Sequence, residues 1–350
     1  MPPSLAQIID KADWLCYGLD RDNLLLHFLQ VDEQSMDAMV FLGHRDAGSG
    51  APVTVSYPIE QVIDAMRPTQ PARTSRFILH TAFCCSTLLA RCIDFPGAVR
   101  TLRALPVFSG LTPLRNRLRS ENERDLWRRI VTVIDRLSSR PFAAGGTTVN
   151  KPSNVFLPSS SDFLETNEAS RALVIHSDLP AFLISCSKKQ SAGTRPWIDM
   201  YLALDPGLTF AAKRGVDIKT LSAMELACLV WNVQMEILHR LADNSSRIRQ
   251  VDSAAFLSAP LETVRRAHHW FGIAVADEER ARAVAREMQR HAKQPGLLFD
   301  PARREAEKAL VETHFGREID STIEWNSARF GDWEQIYRHS ARRIVELGAG

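Results

Sequence analysis

Short apolar runs separated by polar turns recur from residue 76 onward and predict alternating strands and helices. Three of these runs are typical of strands buried in a parallel sheet: 76–82, 147–152 and 172–177. A polar loop and a segment with helical spacing follow each run. Alternation of this kind predicts a parallel α/β sheet, with functional residues at the carboxyl ends of the strands. Those ends correspond to residues 80–86, 150–154 and 176–178.

Periodic apolar positions predict amphipathic helices over 122–138, 221–242 and 260–271. The first of these helices places five apolar side chains on one face: Leu126, Ile130, Val131, Ile134 and Leu137. The stretch 247–256 predicts a short strand and a turn. The charged segments 276–293 and 300–313 predict helices whose polar faces are solvated.

The first 70 residues have a different pattern, in which short apolar runs alternate with polar turns. Segments 24–31 and 53–66 favour strands, and 32–43 favours a short helix. We therefore predict an N-terminal extension, an α/β core and a helical C-terminal segment that packs on the core, with bounds 1–70, 71–275 and 276–350. No internal repeat is apparent.

Composition restricts the function classes. The 350 residues are 45% hydrophobic, and 43 Lys and Arg against 41 Asp and Glu give a net charge of +2. This balance gives no general attraction to nucleic acid or to an anionic membrane. The sequence contains neither an apolar stretch long enough to span a membrane nor a signal-peptide pattern, so the six cysteines are expected to be reduced thiols in the cytoplasm. Because no Cys/His group has zinc spacing, we expect no metal.

The loop after the first core strand is a candidate anion site. Backbone N–H groups that open a helix bind phosphates, and this loop offers Phe83, Cys84, Cys85, Ser86 and Thr87. The GxxxxGK(S/T) pattern is absent, and without glycine a positive φ is harder to obtain. Spacing alone therefore favours a polar helix cap with two buried thiols over an anion site. A redox-active cysteine pair is a further alternative.

Resemblance to a known protein family favours the anion site over the helix cap. The stretch FILHTAFCCSTLLARCID resembles the opening of sulfotransferase-like P-loop proteins, in particular a bacterial branch with a His-Thr/Ser-x-Phe-Cys-Cys-Ser-Thr-Leu-Leu-Ala-Arg pattern. VNKPSNVF is similar to that branch's second strand. ALVIHSDLPAFLISCSKK is similar to the segment that holds the 3′-phosphate of the donor. The combined resemblance covers about residues 76–293.

The resemblance implies a three-layer P-loop α/β fold, with helices on both faces of a parallel sheet and a helical C-terminal part. It implies 3′-phosphoadenosine 5′-phosphosulfate as donor substrate. By this resemblance the loop 83–87 and Lys151 hold the 5′-phosphosulfate, and Lys151 is the candidate for the catalytic cation. His80 is the candidate proton acceptor from the substrate.

The resemblance also assigns the rest of the donor site. Ser177 and Ser185 have the eight-residue interval of the 3′-phosphate segment, with charge supplied by Lys188 or by the adjacent Lys189. SARFGDWEQIY resembles a segment that covers the donor in cytosolic sulfotransferases, so Arg329 is expected to face the phosphates.

This chain departs from the family pattern at several positions. Phe83 stands where typical members have Lys or Arg, Cys85 where they have Gly, and Ser177 where they have Arg. Ala104 and its neighbours replace a Lys-Glu-Pro motif, so the carboxylate that serves as base is missing. The expected function is sulfonate transfer to a hydroxyl or amine of a small molecule.

The alternative is a catalytically degenerate protein of the same fold that binds a nucleotide or a partner. A P-loop kinase is disfavoured because no lysine-serine pair anchors magnesium. The expected partners are a small-molecule acceptor and a second copy of the chain in a homodimer.

Overall fold

The computed structural model describes residues 3–32, 36, 41–42, 53–66, 74–118, 120–243, 245–290 and 301–331. It leaves out the side chains of 190–193, 205–208 and 301–304. The strands within these residues are β1 Trp14–Asp20, β2 Leu25–Gln30, β3 Thr54–Pro58, β4 Arg76–His80, β5 Val99–Arg103, β6 Thr147–Lys151, β7 Arg171–His176 and β8 Ile248–Asp252.

Helices occupy much of the remaining described chain. In the first half they are α1 Leu5–Asp10, α2 Ile59–Met66, α3 Ser86–Ile93, α4 Pro106–Arg117, α5 Glu121–Ser138 and α6 Ser160–Thr166. In the second half they are α7 Leu179–Lys188, α8 Gln190–Leu202, α9 Asp205–Lys213, α10 Ala223–Asp243, α11 Ser253–Ser258, α12 Pro260–Phe271, α13 Asp277–Met288 and α14 Pro301–Phe330. Two short 3-10 helices cover Asn154–Ser159 and Ile218–Thr220.

Five parallel strands of the described chain form the central sheet, in the order β5-β6-β4-β7-β8. The register pairs His80 with Ile175 and His176 with Asp252, so these strands end at a common edge. The predictions for β4, β6, β7 and β8 are confirmed. Strand β5 was not predicted, because its arginines give it a polar sequence.

Helices cover both faces of this sheet, which confirms the predicted α/β class. The side chains of β4 alternate, as they must along a strand. Phe77 and Leu79 join a large apolar cluster with α4, α5, α7 and α10. Ile78 joins a second apolar cluster on the opposite face with α3, α12 and α13.

The N-terminal strands form a separate antiparallel sheet, in the order β1-β2-β3. Arg140, which follows α5, ties this region to the core: its Nη1 donates to the carbonyl oxygens of Ile8 and Ile9, each at 2.7 Å, and of Lys11 at 2.8 Å. The predicted strand over 53–66 is wrong in its second half, because β3 ends at Pro58 and α2 follows. The helix expected over 32–43 lies almost entirely outside the described residues.

The C-terminal helix is longer than predicted. Instead of ending near residue 313, α14 continues to Phe330 and is 30 residues long in all. It packs on α7 and α10, where Asn232 Nδ2 donates to Asn326 Oδ1 at 2.6 Å. This contact places the helix against the core, while the three-part domain division stays a prediction.

Candidate functional site

The loop between β4 and α3 has a backbone conformation that its sequence does not suggest. Phe83 and Cys85 both have positive φ angles, 58° and 62°, and Cys85 is the left-handed N-cap of α3. Such alternation turns successive N–H groups toward one side and forms a concave anion-binding surface. A left-handed conformation costs a non-glycine residue about 1 to 2 kcal/mol. The loop thus reaches, without glycine, two of the positive φ angles that such concave surfaces need.

Contacts from the surrounding core hold the start of the loop. The Ala82 amide donates to Gln234 Oε1 at 2.9 Å, and the Thr81 amide donates to the Ile175 carbonyl at 3.2 Å. These two amides are therefore already bonded. Further along, no protein acceptor is found among the described residues for the amides of Cys84 and Thr87. The unbonded amides lie where the helix dipole also favours an anion.

The Cys84 thiol is an internal part of the loop. It is buried and donates to the Thr81 carbonyl at 3.0 Å. Burial, more than any other cause, raises its pKa to about 11. Because a thiol with a raised pKa stays protonated, the Cys84 side chain packs the interior of the loop and is not a reactive group. Ser86 and Thr87, in the first turn of α3, are also buried.

Lys151 lies beside this loop, as the interpretation from sequence requires. It ends β6 and is only 4% exposed. Strand β6 is the neighbour of β4 in the sheet, so Lys151 lies at the strand end next to the loop. Burial raises the pKa of Cys84, and the charge of Lys151 acts in the opposite direction. The Nζ atom also lies 5.9 Å from the centre of the Phe41 ring. Its predicted role as cation for the phosphosulfate stays a prediction.

His80 ties two strands together. Its Nδ1 is 2.6 Å from the Thr81 carbonyl oxygen, and its Nε2 is 3.0 Å from the Pro152 carbonyl oxygen. Carbonyl oxygens accept hydrogen bonds and a neutral imidazole has one N–H, so one ring nitrogen donates while the other also faces a carbonyl oxygen instead of an open site. This geometry argues against the expected role of proton acceptor and favours a positioning role between β4 and β6.

The residues expected at the 3′-phosphate are only partly brought together. Ser177 follows β7 and is buried, and Trp231 Nε1 donates to its carbonyl at 3.2 Å. No hydrogen-bond partner of its hydroxyl is found among the described residues. Ser185 instead donates to the carbonyl of Ala181, one turn earlier in α7, at 2.9 Å. Of the two serines, Ser177 alone has a hydroxyl left for a ligand.

The two adjacent lysines at the end of α7 differ in direction. Lys188 is drawn toward α14, with its Nζ 3.7 Å from Glu307 Oε2. Lys189 Nζ lies 5.4 Å from the centre of the Phe83 ring, which also contacts Phe182. The structure therefore favours Lys189 over Lys188 as the cation at the loop. The sequence favoured Lys188, because it lies three residues after Ser185 on roughly the same helical face, whereas its neighbour Lys189 points about 100° away around the helix.

Arg329 contacts an aromatic ring of its own helix. It is exposed on the last turn of α14 and lies over the Trp325 ring, with its guanidinium carbon 5.6 Å from the ring centre. The expectation that it faces the donor phosphates stays a prediction. The segment that resembles a donor cover is helical as far as Phe330, and residues 332–350 lie outside the described part.

The described residues show no metal cluster of side chains and no membrane-spanning helix. They contain no group of three or more His, Cys, Asp or Glu side chains that could hold a metal ion. In the same part of the chain, no helix combines the length and apolarity that a bilayer crossing demands.

Comparison with known proteins gives structural similarity only. No family model matches the sequence, and no curated protein matches it significantly. The sulfotransferase domain from the curacin biosynthetic pathway is 11% identical, with a TM-score of 0.39 over 71% of this chain and 99% of that domain. A sulfotransferase from Alicyclobacillus acidocaldarius is 14% identical (TM-score 0.34; 75% and 100% covered). One from Mycobacterium tuberculosis is also 14% identical (0.36; 73% and 78%). At identities this low and TM-scores below 0.5, none of the three supports a statement about this chain's activity.

Proposed function

We propose that this chain is a sulfotransferase that transfers a sulfonate from 3′-phosphoadenosine 5′-phosphosulfate to a small molecule. The observation that carries the proposal is the loop after β4, with positive φ at Phe83 and Cys85, next to the buried ammonium of Lys151. The loop supplies amides and the neighbouring strand supplies the charge. The sequence resemblance to sulfotransferase-like P-loop proteins supports the choice of donor.

In this reaction the acceptor oxygen or nitrogen attacks sulfur, the bond from sulfur to the 5′-phosphate oxygen breaks, and the proton of a neutral acceptor passes to solvent water. The electron pair stays on that phosphate oxygen, where the Lys151 ammonium and the loop amides stabilise it. Because both nitrogens of His80 face carbonyl oxygens, His80 is not assigned as the base. Acceptors that ionise near neutral pH, such as acidic phenols, are expected to react best, since they need no protein base.

The second candidate is a protein that binds the nucleotide without turnover. Phe83 favours it, because an aromatic ring occupies the position from which typical family members supply a cation. The two candidates share the binding step and differ in the transfer step. Experiments on binding and on transfer therefore separate them.

Calorimetry with 3′-phosphoadenosine 5′-phosphate tests the binding step. We expect one site per chain with micromolar affinity, and a loss of about 10- to 100-fold in Lys151→Met, since a charge-assisted contact contributes about 1.5 to 3 kcal/mol. Lys308→Met is the matched control, because Lys308 is exposed on α14. Absence of binding by the unaltered protein would contradict both candidates.

Transfer is tested by following release of 3′-phosphoadenosine 5′-phosphate from the donor with a panel of phenols, alcohols and amines. Turnover that Lys151→Met abolishes supports the sulfotransferase. Tight binding with no turnover across the panel supports the binding protein instead. Magnesium-dependent binding of ATP would point to a kinase and contradict the proposal.

A further inference from the structure

A cavity lies at the end of the sheet that is opposite the loop after β4. Its volume is about 490 Å³, within the range of pockets that hold small organic molecules. Ile248 at the start of β8 lines it, together with α6, α9 and the second half of α10. In the register, Ile248 pairs with Ala172, at the amino end of β7. The cavity is therefore separate from the site proposed above, which lies at the carboxyl ends.

The walls of this cavity combine apolar surface with positive charge. The apolar part includes Leu157, Val233, Ile237 and the ring of Phe210. Five cationic side chains line it, against two carboxylates, Glu165 and Glu236; the cations are Arg115, Lys213, Arg214, Arg240 and Arg247. Asp162, outside the lining, pairs with Arg115 at 2.7 Å, so two positive charges remain in excess.

The arginines are held in fixed positions. Arg214 lies 3.7 Å above the centre of the Phe210 ring and donates to Glu236 Oε2 at 2.9 Å, and Glu236 also pairs with Arg240. Arg247 Nη1 donates to the Leu164 carbonyl at 2.6 Å, which keeps its guanidinium at the end of α6. Cations fixed in this way lose little side-chain entropy when an anion binds.

We propose that this cavity binds an organic anion with an apolar body and a single carboxylate, sulfonate or phosphate group. The body packs on Phe210, Val233 and Ile237, and the anionic group meets the excess positive charge near Lys213, Arg214 and Arg247. A purely inorganic anion would leave the apolar wall uncovered. A neutral hydrocarbon would leave the charge uncompensated, so the combination of both features defines the ligand class.

The test uses 8-anilinonaphthalene-1-sulfonate and its neutral analogue N-phenyl-1-naphthylamine as fluorescent probes of the folded protein. We expect saturable binding of the sulfonate at one site per chain. Lys213→Glu reverses an exposed charge at the rim of the cavity. It should lower the affinity for the sulfonate about threefold or more and change the affinity for the neutral probe less than twofold. The matched control is Lys219→Glu, an exposed lysine outside the lining, which should change neither.

Ser161→Trp provides a second variant, because Ser161 lines the cavity and an indole there would fill it. Both probes should lose binding in this variant while circular dichroism stays native. Three results would overturn the proposal: no saturable sulfonate binding, equal effects of Lys213→Glu on both probes, or unaltered binding in Ser161→Trp. Displacement of the sulfonate by 3′-phosphoadenosine 5′-phosphate would also overturn it, since the probe would then occupy the loop site.

Discussion

The ammonium of Lys189 lies 5.4 Å from the centre of the Phe83 ring. This contact brings a positive charge to the loop from a different helix, α7. The Phe83 ring is also fixed by Phe182 at 5.6 Å and by Trp197 at 5.8 Å between ring centres. These aromatic neighbours fix the ring that the exposed Lys189 ammonium contacts.

Lys189→Ala should weaken binding of 3′-phosphoadenosine 5′-phosphate about three- to tenfold, because a partly exposed cation near a phosphate is screened by solvent. Lys188→Ala is the matched control and should change affinity less than twofold, since Lys188 pairs with Glu307. Calorimetry at low and high salt measures both variants. Equal losses in the two variants would contradict the assignment of Lys189.

Cys85→Gly should stabilise the protein by about 0.5 to 1 kcal/mol, because glycine adopts the left-handed conformation at the N-cap of α3 without a steric penalty. The free energy of unfolding in urea measures the change. Cys84→Gly should lower the free energy of unfolding, because the Cys84 side chain is buried and donates to the Thr81 carbonyl. A less stable Cys85→Gly variant would show that the loop carries no such strain.

Asp135 should make stability depend on pH. Burial raises its pKa to about 7, and no partner of its Oδ1 is found in the described chain. Since the folded state holds this proton more tightly than the unfolded state, its contribution to stability is full below about pH 4 and is lost as pH rises through 7.

Asp135→Asn keeps the shape and removes the titration. The unaltered chain should lose about 2 to 3 kcal/mol of stability between pH 5 and pH 8 through Asp135, and the variant should not show this loss. Urea unfolding at both pH values measures this difference. Asp125→Asn, at an exposed position of the same helix, should keep the loss of the unaltered chain. The same pH dependence in both variants would rule out Asp135 as its source.

Much of the fold could be predicted from apolar patterns. Strands β4, β6 and β7 are short, apolar and buried, and the face of α5 that carries Ile130 and Ile134 packs inward as its spacing indicates. Strand β5 could not be recognised, because its Arg100 and Arg103 look solvent-exposed in the sequence. In the fold both are buried against Asp94, a partner that only the tertiary structure supplies.

The candidate site was less predictable. Sequence placed the loop and Lys151 at adjacent strand ends, and the structure has them there. It could not show that Phe83 and Cys85 adopt positive φ, because neither is a glycine, and the Ala82 amide beside them is bound by Gln234, which is distant along the chain. Nor could it show that both nitrogens of His80 face carbonyl oxygens, since Pro152 is distant along the chain.

Arg140 sets a limit on how this protein can be shortened. Its guanidinium is buried, and the carbonyl oxygens of Ile8, Ile9 and Lys11 solvate it in place of water. A truncation that removes the residues up to the end of β1 would leave this buried charge without hydrogen-bond acceptors, and an unsolvated ion in an apolar interior is very costly in free energy. Shortened versions of the protein should therefore retain the leading helix, even though it lies outside the parallel sheet.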